Sequence, residues 1–221
     1  MEIPSYPARP TNGGALESAL PQVSSWAWQP KVADWRGLVH CESGQVWNRH
    51  GGRLSIIHKI QPALEQLRER VGGWLDVGIM ERNPLMRGCI IVFDFLPIGE
   101  EEMTYDERRE SLESFLQFEL MPELWKPALI EEPTKQGATY IGGTSRYPMC
   151  NRVFLVRQYV DCDPLAVYRR LQNENKHLLI PQGYPALYEG LVAKRRDKPY
   201  PLQLRSPDVR TPWWIKHRFD Q

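Results

Sequence analysis

Two uninterrupted apolar runs, at residues 74–80 and 89–95, flank a polar, proline-containing segment at 81–88, a pattern that predicts a hairpin or a pair of neighbouring buried strands. Ile60, Leu64, Leu67 and Val71 recur at helical spacing and stop at Gly72-Gly73, which predicts a helix over 60–71. Thr104 followed three residues later by Glu107 is a capping-box pattern. It opens a helix over 104–118 in which Leu112, Phe115 and Leu116 share a face. Residues 163–173 predict a third helix, and short strands are expected at 27–31, 36–40, 45–48, 152–159, 188–194 and 213–219. Pro4, Pro7, Pro10, Gly13, Gly14 and Pro21 punctuate the start, so residues 1–24 read as an irregular arm with at most a short helical piece at 15–20. Strands outnumber helices and are mostly joined by short turns. The expected class is therefore α+β, with antiparallel sheets flanked by helices.

Length and composition narrow this picture rather than change it. With 221 residues, 42% of them hydrophobic and 25% charged, the chain can bury one substantial core, and no linker interrupts its middle. Residues 25–221 are expected to form one domain. No basic and apolar leader opens the chain and no run of about 18 apolar residues occurs, so a cytoplasmic protein that does not enter a membrane is expected. Cys41, Cys89, Cys150 and Cys162 lack any CxxC spacing, which argues against a zinc site and against a disulfide framework. The net charge of +1 conceals a gradient: residues 190–221 carry eight Lys/Arg against three Asp, whereas 99–113 carry seven acids against two arginines. A basic end of this kind suits a polyphosphate or nucleic-acid ligand, or else is a solvated face.

The candidate chemistry is scattered along the chain in short strings. In Lys31-Val32-Ala33-Asp34-Trp35-Arg36-Gly37, a lysine at a strand end has a cation five residues on; such an amine attacks phosphorus only with a free lone pair. Asn48-Arg49-His50-Gly51 delivers an arginine beside a glycine turn, where side chain and backbone can both reach a phosphate oxygen. Ile91-Val92-Phe93-Asp94 places an aromatic ring in a buried strand, as core or as a stacking platform for a purine. In Glu189-Gly190-Leu191-Val192-Ala193-Lys194, a two-residue period puts Glu189 on one face and Gly190, Val192 and Lys194 on the other. An acid beside glycine leaves room for a divalent ion held jointly with substrate phosphates. Lys216 and Arg218 share one side of the last strand, a two-pronged cationic clamp. Each string alone has an ordinary structural explanation.

In this order and spacing the strings resemble the covalent nucleotidyltransferase superfamily of ATP-dependent DNA ligases, RNA ligases and mRNA capping enzymes, from about Trp28 to Phe219. Lys31 to Arg36 is similar to its motif I, Arg49 to Gly51 to the arginine-glycine motif, and Phe93 to the aromatic of motif III. Glu189 to Lys194 resembles motif IV, and Lys216 to Arg218 resembles motif V. Tyr105-Asp106-Glu107-Arg108-Arg109 is similar to the Y-x-x-R-R helix start of many DNA ligases. The resemblance implies an adenylation-domain fold with a nucleotide pocket between its sheets, and an enzyme that joins AMP covalently to Lys31. Lys216 and Arg218 would grip the α-phosphate, Arg36 and Arg49 would hold phosphates, and Phe93 would stack on adenine. Gln29 and Pro30, just before the lysine, and Lys194 would also contact the nucleotide, and Glu189 would position Mg²⁺ or Mn²⁺. ATP is the implied cofactor and nicked double-stranded DNA the implied partner, with RNA or a DNA/RNA hybrid as alternatives.

The sequence departs from the family's pattern at three places. Ala33 stands where an acid is usual, and Asp34 where glycine is usual. The acid that normally holds the ribose aligns with Gly78, so Asp76 or Glu81 is expected to serve instead. No OB-fold domain is expected after Phe219, and a protein partner could replace it. A capping guanylyltransferase, or a binding module without catalysis, are the competing readings.

Overall fold

The computed structural model describes residues 3–17, 23–81, 84, 86–114, 119–121, 152–202, 206 and 208–219. The predicted strands form at β2 (Trp26–Val32), β3 (Trp35–His40), β4 (Gln45–Asn48), β5 (Trp74–Met80), β6 (Cys89–Leu96), β9 (Tyr188–Arg195) and β10 (Arg210–Arg218). The predicted helices are α1 (Gln61–Arg70), α2 (Tyr105–Ser114) and α3 (Pro164–Glu174). Two further short strands complete the set, β7 (Glu119–Leu120) and β8 (Val153–Leu155). The strand expected at 152–159 thus shortens to three residues, although Tyr159 still bridges to Trp28. Residues 115–118 of the expected second helix, 18–20 of the expected N-terminal helical piece, and Cys150 lie outside the described residues.

The start of the chain corrects one expectation. Arg9–Asn12 is a strand, β1, running parallel to β10, with Asn12 opposite Lys216. Its proline misleads because Pro10 sits on an outermost strand, where a missing N–H removes no ladder bond on the solvent side. β1 also makes the sheets mixed rather than wholly antiparallel, as do the parallel pairs β6–β8 and β7–β8.

A four-stranded sheet, in the order β1-β10-β9-β2, faces a six-stranded sheet, β4-β3-β5-β6-β8-β7. Only Ala33 and Asp34 separate β2 of the first from β3 of the second, so this short connection ties the sheets at one corner. α1 covers the outer side of the larger sheet, where Ala63, Leu64 and Leu67 bury against Val77, Ile79, Ile90 and Val92. α3 covers the outer side of the smaller sheet through Val167, Tyr168 and Leu171. At its end Asn175 donates to Tyr188 O and accepts from the Leu187 and Tyr188 N–H groups, which fixes the entry into β9. The capping box of α2 forms as its sequence predicts. The Glu107 carboxylate accepts from Thr104 N and Oγ1, both at 2.7 Å.

Candidate functional site

Between the sheets lies a cavity of about 590 Å³, large enough for a nucleotide. Strand pairing builds its floor in rows: Lys31, Gly190 and Arg218 stand side by side across β2, β9 and β10, and Gln29, Val192 and Lys216 form the next row. Side chains two residues apart share a face, so Lys31, Gln29, Lys216 and Arg218 all reach the same space.

Glu189 and Phe93 arrive there by a different route. Lys31 pairs with Gly190 while Val32 pairs with Tyr188, which leaves Glu189 as the extra residue of a β-bulge. The expected alternation put Glu189 opposite Lys194, but the bulge turns it to the cavity beside Lys31. Gly190 adopts φ 143°, and a side chain there would collide with the backbone of His217 and Arg218, so only glycine permits this approach. In β6 the register shifts between Asp76–Asp94 and Val77–Val92, which leaves Phe93 as the bulged residue and aims its ring into the cavity.

Of the residues expected to form the site, Gln29, Pro30, Lys31, Arg36 and Arg49 line the cavity, as do Phe93, Glu189, Lys194, Lys216 and Arg218. Asp76 and Glu81 do not. Asp76 lies fully buried in β5 of the six-stranded sheet, where it receives Arg36 Nε at 2.8 Å, Arg36 Nη2 and the Tyr200 hydroxyl at 2.9 Å. Glu81 is turned to Lys59 Nζ, 2.6 Å away. Neither acid is therefore placed to hold a ribose in this arrangement.

The charges divide into paired and crowded groups. Lys31 Nζ donates to Glu189 Oε2 at 2.5 Å, and Arg218 Nη2 lies 3.6 Å from the same oxygen. Lys216 has no carboxylate partner among the described residues. Burial, and then Arg218, Lys31, Arg210 and Arg9, push its ammonium below the usual lysine value. Arg49 is exposed at the rim and donates to His50 Nε2 at 2.9 Å. Lys194 is buried over the Trp214 ring at 4.1 Å and donates to Asp94 Oδ2 and Phe93 O, each at 3.1 Å. Burial lowers its pKa to about 8 against the opposing pull of Asp94. Arg108 of α2 grips the same Asp94 through Nε at 2.8 Å and Nη2 at 3.2 Å. Tyr105 accepts from Gln29 Nε2 at 2.8 Å, so α2 is tied to the floor through Gln29.

Two charged cavity residues escaped the sequence reading. Arg9 lies in the segment read as an irregular arm, and β1 carries it to the cavity wall. Asp34 was noted only as a departure in motif I. Burial raises its carboxyl to about 7, even with Lys31 and Arg36 pulling the other way. Its neighbours two and three positions away in sequence, Arg36 and Lys31, were the available signal.

This arrangement of two sheets about a lysine-bearing cavity is the fold of the nucleotidyltransferase (adenylation) domain of ATP-dependent DNA ligases. The particular structures it is similar to include the ligase domain of LigD from M. tuberculosis, with a TM-score of 0.59 at 16% identity, covering 99% of this chain and 61% of that one. Mycobacterial DNA ligase D complexed with ATP and MES gives a TM-score of 0.59 at 18% identity, covering 100% and 62%. A Lig E DNA ligase, described as binding DNA with a minimal scaffold, gives 0.52 at 10% identity, covering 96% and 68%. The chain thus spans about three fifths of the two ligase D structures. No family model matches the sequence. No curated protein matches it either.

Proposed function

We propose that this chain is the nucleotidyltransferase part of an ATP-dependent polynucleotide ligase, with Lys31 as the nucleophile. The observation that carries this reading is the row Lys31, Gly190, Arg218, with Lys216 in the row beside it: one amine and two cations face one cavity that also holds Phe93. In the reaction Lys31 Nζ bonds to the α-phosphorus of ATP, the bond to the bridging oxygen breaks, and pyrophosphate leaves. Glu189 Oε2, already hydrogen-bonded to that nitrogen, is placed to receive its proton. Lys216 and Arg218 neutralise the charge that spreads over the phosphoryl oxygens, and Arg49 serves the outer phosphates at the rim. AMP then passes to a polynucleotide 5′-phosphate, and a 3′-hydroxyl displaces it.

No cluster of three or more metal-binding side chains occurs among the described residues. A resident metal does not fit such a site, but Mg²⁺ or Mn²⁺ arriving with the triphosphate does, since such an ion takes one or two carboxylates plus phosphates. Glu189, 38% exposed and on the cavity, is the acid that would hold it, and the ion would supply charge neutralisation. DNA is the preferred polynucleotide, with RNA or a hybrid as alternatives, and a protein partner that helps grip the duplex is part of the proposal. No described helix is long and apolar enough to cross a membrane.

The test is intact-mass and peptide mass spectrometry after incubation with ATP and magnesium or manganese. An adenylate on Lys31 that disappears in Lys31→Ala is expected, followed by sealing of nicked duplexes. Nucleotide binding without any adduct would instead favour the binding-module reading that Ala33 motivates.

A further inference from the structure

The Ala33-Asp34 connection between β2 and β3 crosses from one sheet to the other between Lys31 and Arg36, and Asp34 lines the cavity there. Its Oδ2 is enclosed and has no hydrogen-bond partner among the described residues. A buried polar oxygen is almost always bonded, so an unmet one that faces a cavity points to a partner that arrives with a ligand. The neighbouring acids are engaged already: Asp76 with Arg36 and Tyr200, Asp94 with Arg108 and Lys194, Glu189 with Lys31 and Arg218.

The place that Asp34 Oδ2 occupies is open because residue 78 is glycine. A Cβ on Gly78 would collide with Asp34 Oδ2, and also with Phe93 Cζ at 2.6 Å. The carboxyl oxygen and the tip of the aromatic ring therefore flank the same point above Gly78. The cations that act most strongly on it are Lys31 and Arg36. A nucleotide lying in this cavity with its base on Phe93 and its phosphates on the cations has one component between them, the sugar. Base and phosphates offer this position a ring face and like charge; the sugar offers hydroxyl groups, which a carboxyl can bond in either protonation state.

We propose that Asp34 hydrogen-bonds a sugar hydroxyl of the bound nucleotide and makes the site select ribonucleotides over their deoxy counterparts. The assignment rests on the nucleotide-binding reading above and moves sugar recognition from β5, where Gly78 leaves no side chain, to the connection between the sheets. Asp34 is thereby a specificity-determining residue, distinct from the nucleophile and its cationic clamp.

The experiment measures binding of ATP, 2′-deoxy-ATP and 3′-deoxy-ATP with magnesium by calorimetry, and in parallel the rate of adduct formation on Lys31. For the wild-type chain, at least one deoxy analogue is expected to bind roughly tenfold more weakly than ATP, the scale of one hydrogen bond. Asp34→Ala should bring the two affinities to within about twofold by weakening ATP alone, and Asp34→Asn, which keeps a polar partner for a hydroxyl, should restore much of the difference. Unchanged ratios for both analogues in Asp34→Ala would overturn the inference, as would a wild-type chain that binds all three nucleotides equally. The outcomes separate cleanly. A sugar preference without an adduct on Lys31 removes only the ligase reading, while an adduct whose rate ignores the sugar in every variant removes only the role of Asp34. If the wild type binds no nucleotide, both fall.

Discussion

On the six-stranded side of the cavity Asp94 takes Arg108 and Lys194, and Asp76 takes Arg36 and Tyr200. On the four-stranded side Lys31 and Arg218 share the single carboxylate of Glu189, and Lys216 has none among the described residues. The residue types are the same, and the counter-charges differ. Three cations held by two buried carboxylates lock a structure in place, whereas three cations around one carboxylate at a cavity favour an anion that is not part of the chain. The comparison therefore separates the residues expected to carry the fold from those expected to carry the chemistry, and each side can be broken by itself.

The largest effect is expected on the six-stranded side. Arg108→Ala removes a guanidinium with no exposed surface and leaves Asp94 buried with Lys194 alone. Burial by itself would raise the Asp94 carboxyl, and Arg108 is the foremost group that holds it below the usual range. The loss should be about 3–5 kcal/mol of unfolding free energy, read from denaturant titration. An unfolding midpoint like that of the wild type would show that the buried cluster is not structural.

Next comes the crowded side, where stability and activity should part company. Lys216→Ala or Arg218→Ala is expected to slow adduct formation on Lys31 on the order of a hundredfold or more. Because burial and then the neighbouring cations disfavour the charged Lys216, removing it should leave the melting temperature unchanged or raise it. A Lys216→Ala chain that melts well below the wild type would place this lysine with the structural group.

How much of this division could be read in advance varies by residue. The strands β5 and β6 were plain because apolar runs bounded by turn residues have few other uses, and α2 was plain because its first turn carries its own cap. Arg9 apart, the cavity's lysines and arginines were legible from motif order alone. The bulges were not: a period of two assumes an unbroken ladder, so Glu189 was assigned to the wrong face, and nothing in the string Ile91-Val92-Phe93 announces that Phe93 is the extra residue. Asp76 was misread for a related cause. An acid in a strand looks available until the structure shows Arg36 and Tyr200 closing on it from segments 40 and 124 residues away. Pairing at such sequence distance leaves no local pattern.

Gly78 sharpens the boundary between the two sides. In Gly78→Ala a new methyl would meet Asp34 Oδ2 and the Phe93 ring, so the connection or the ring must shift. A cost of about 1–3 kcal/mol is expected, with weaker nucleotide binding as the accompanying change. Equal stability together with unaltered binding would mean that the corner where the sheets join is loose enough to absorb the methyl, and that Asp34 is not held where it is described.

The smallest effect depends on pH and concerns the carboxyl that belongs to neither group. Asp34 is raised to about 7 by burial, so its folded-state value lies above that of the unfolded chain. The folded protein then binds this proton more tightly, and the stability that results is complete at low pH and is lost as pH rises from about 4 through about 7. Asp34→Asn removes the ionisation while keeping the size. Near pH 3, below the unfolded value, the variant should match the wild type; near pH 8 it should be more stable, by roughly 1–2 kcal/mol once partial exposure of the residue is allowed for. Thermal melts at the two pH values, with Gly73→Ala on a distant turn as a control for general pH effects, read the difference directly. A variant whose advantage is the same at both pH values would mean that burial does not shift this carboxyl.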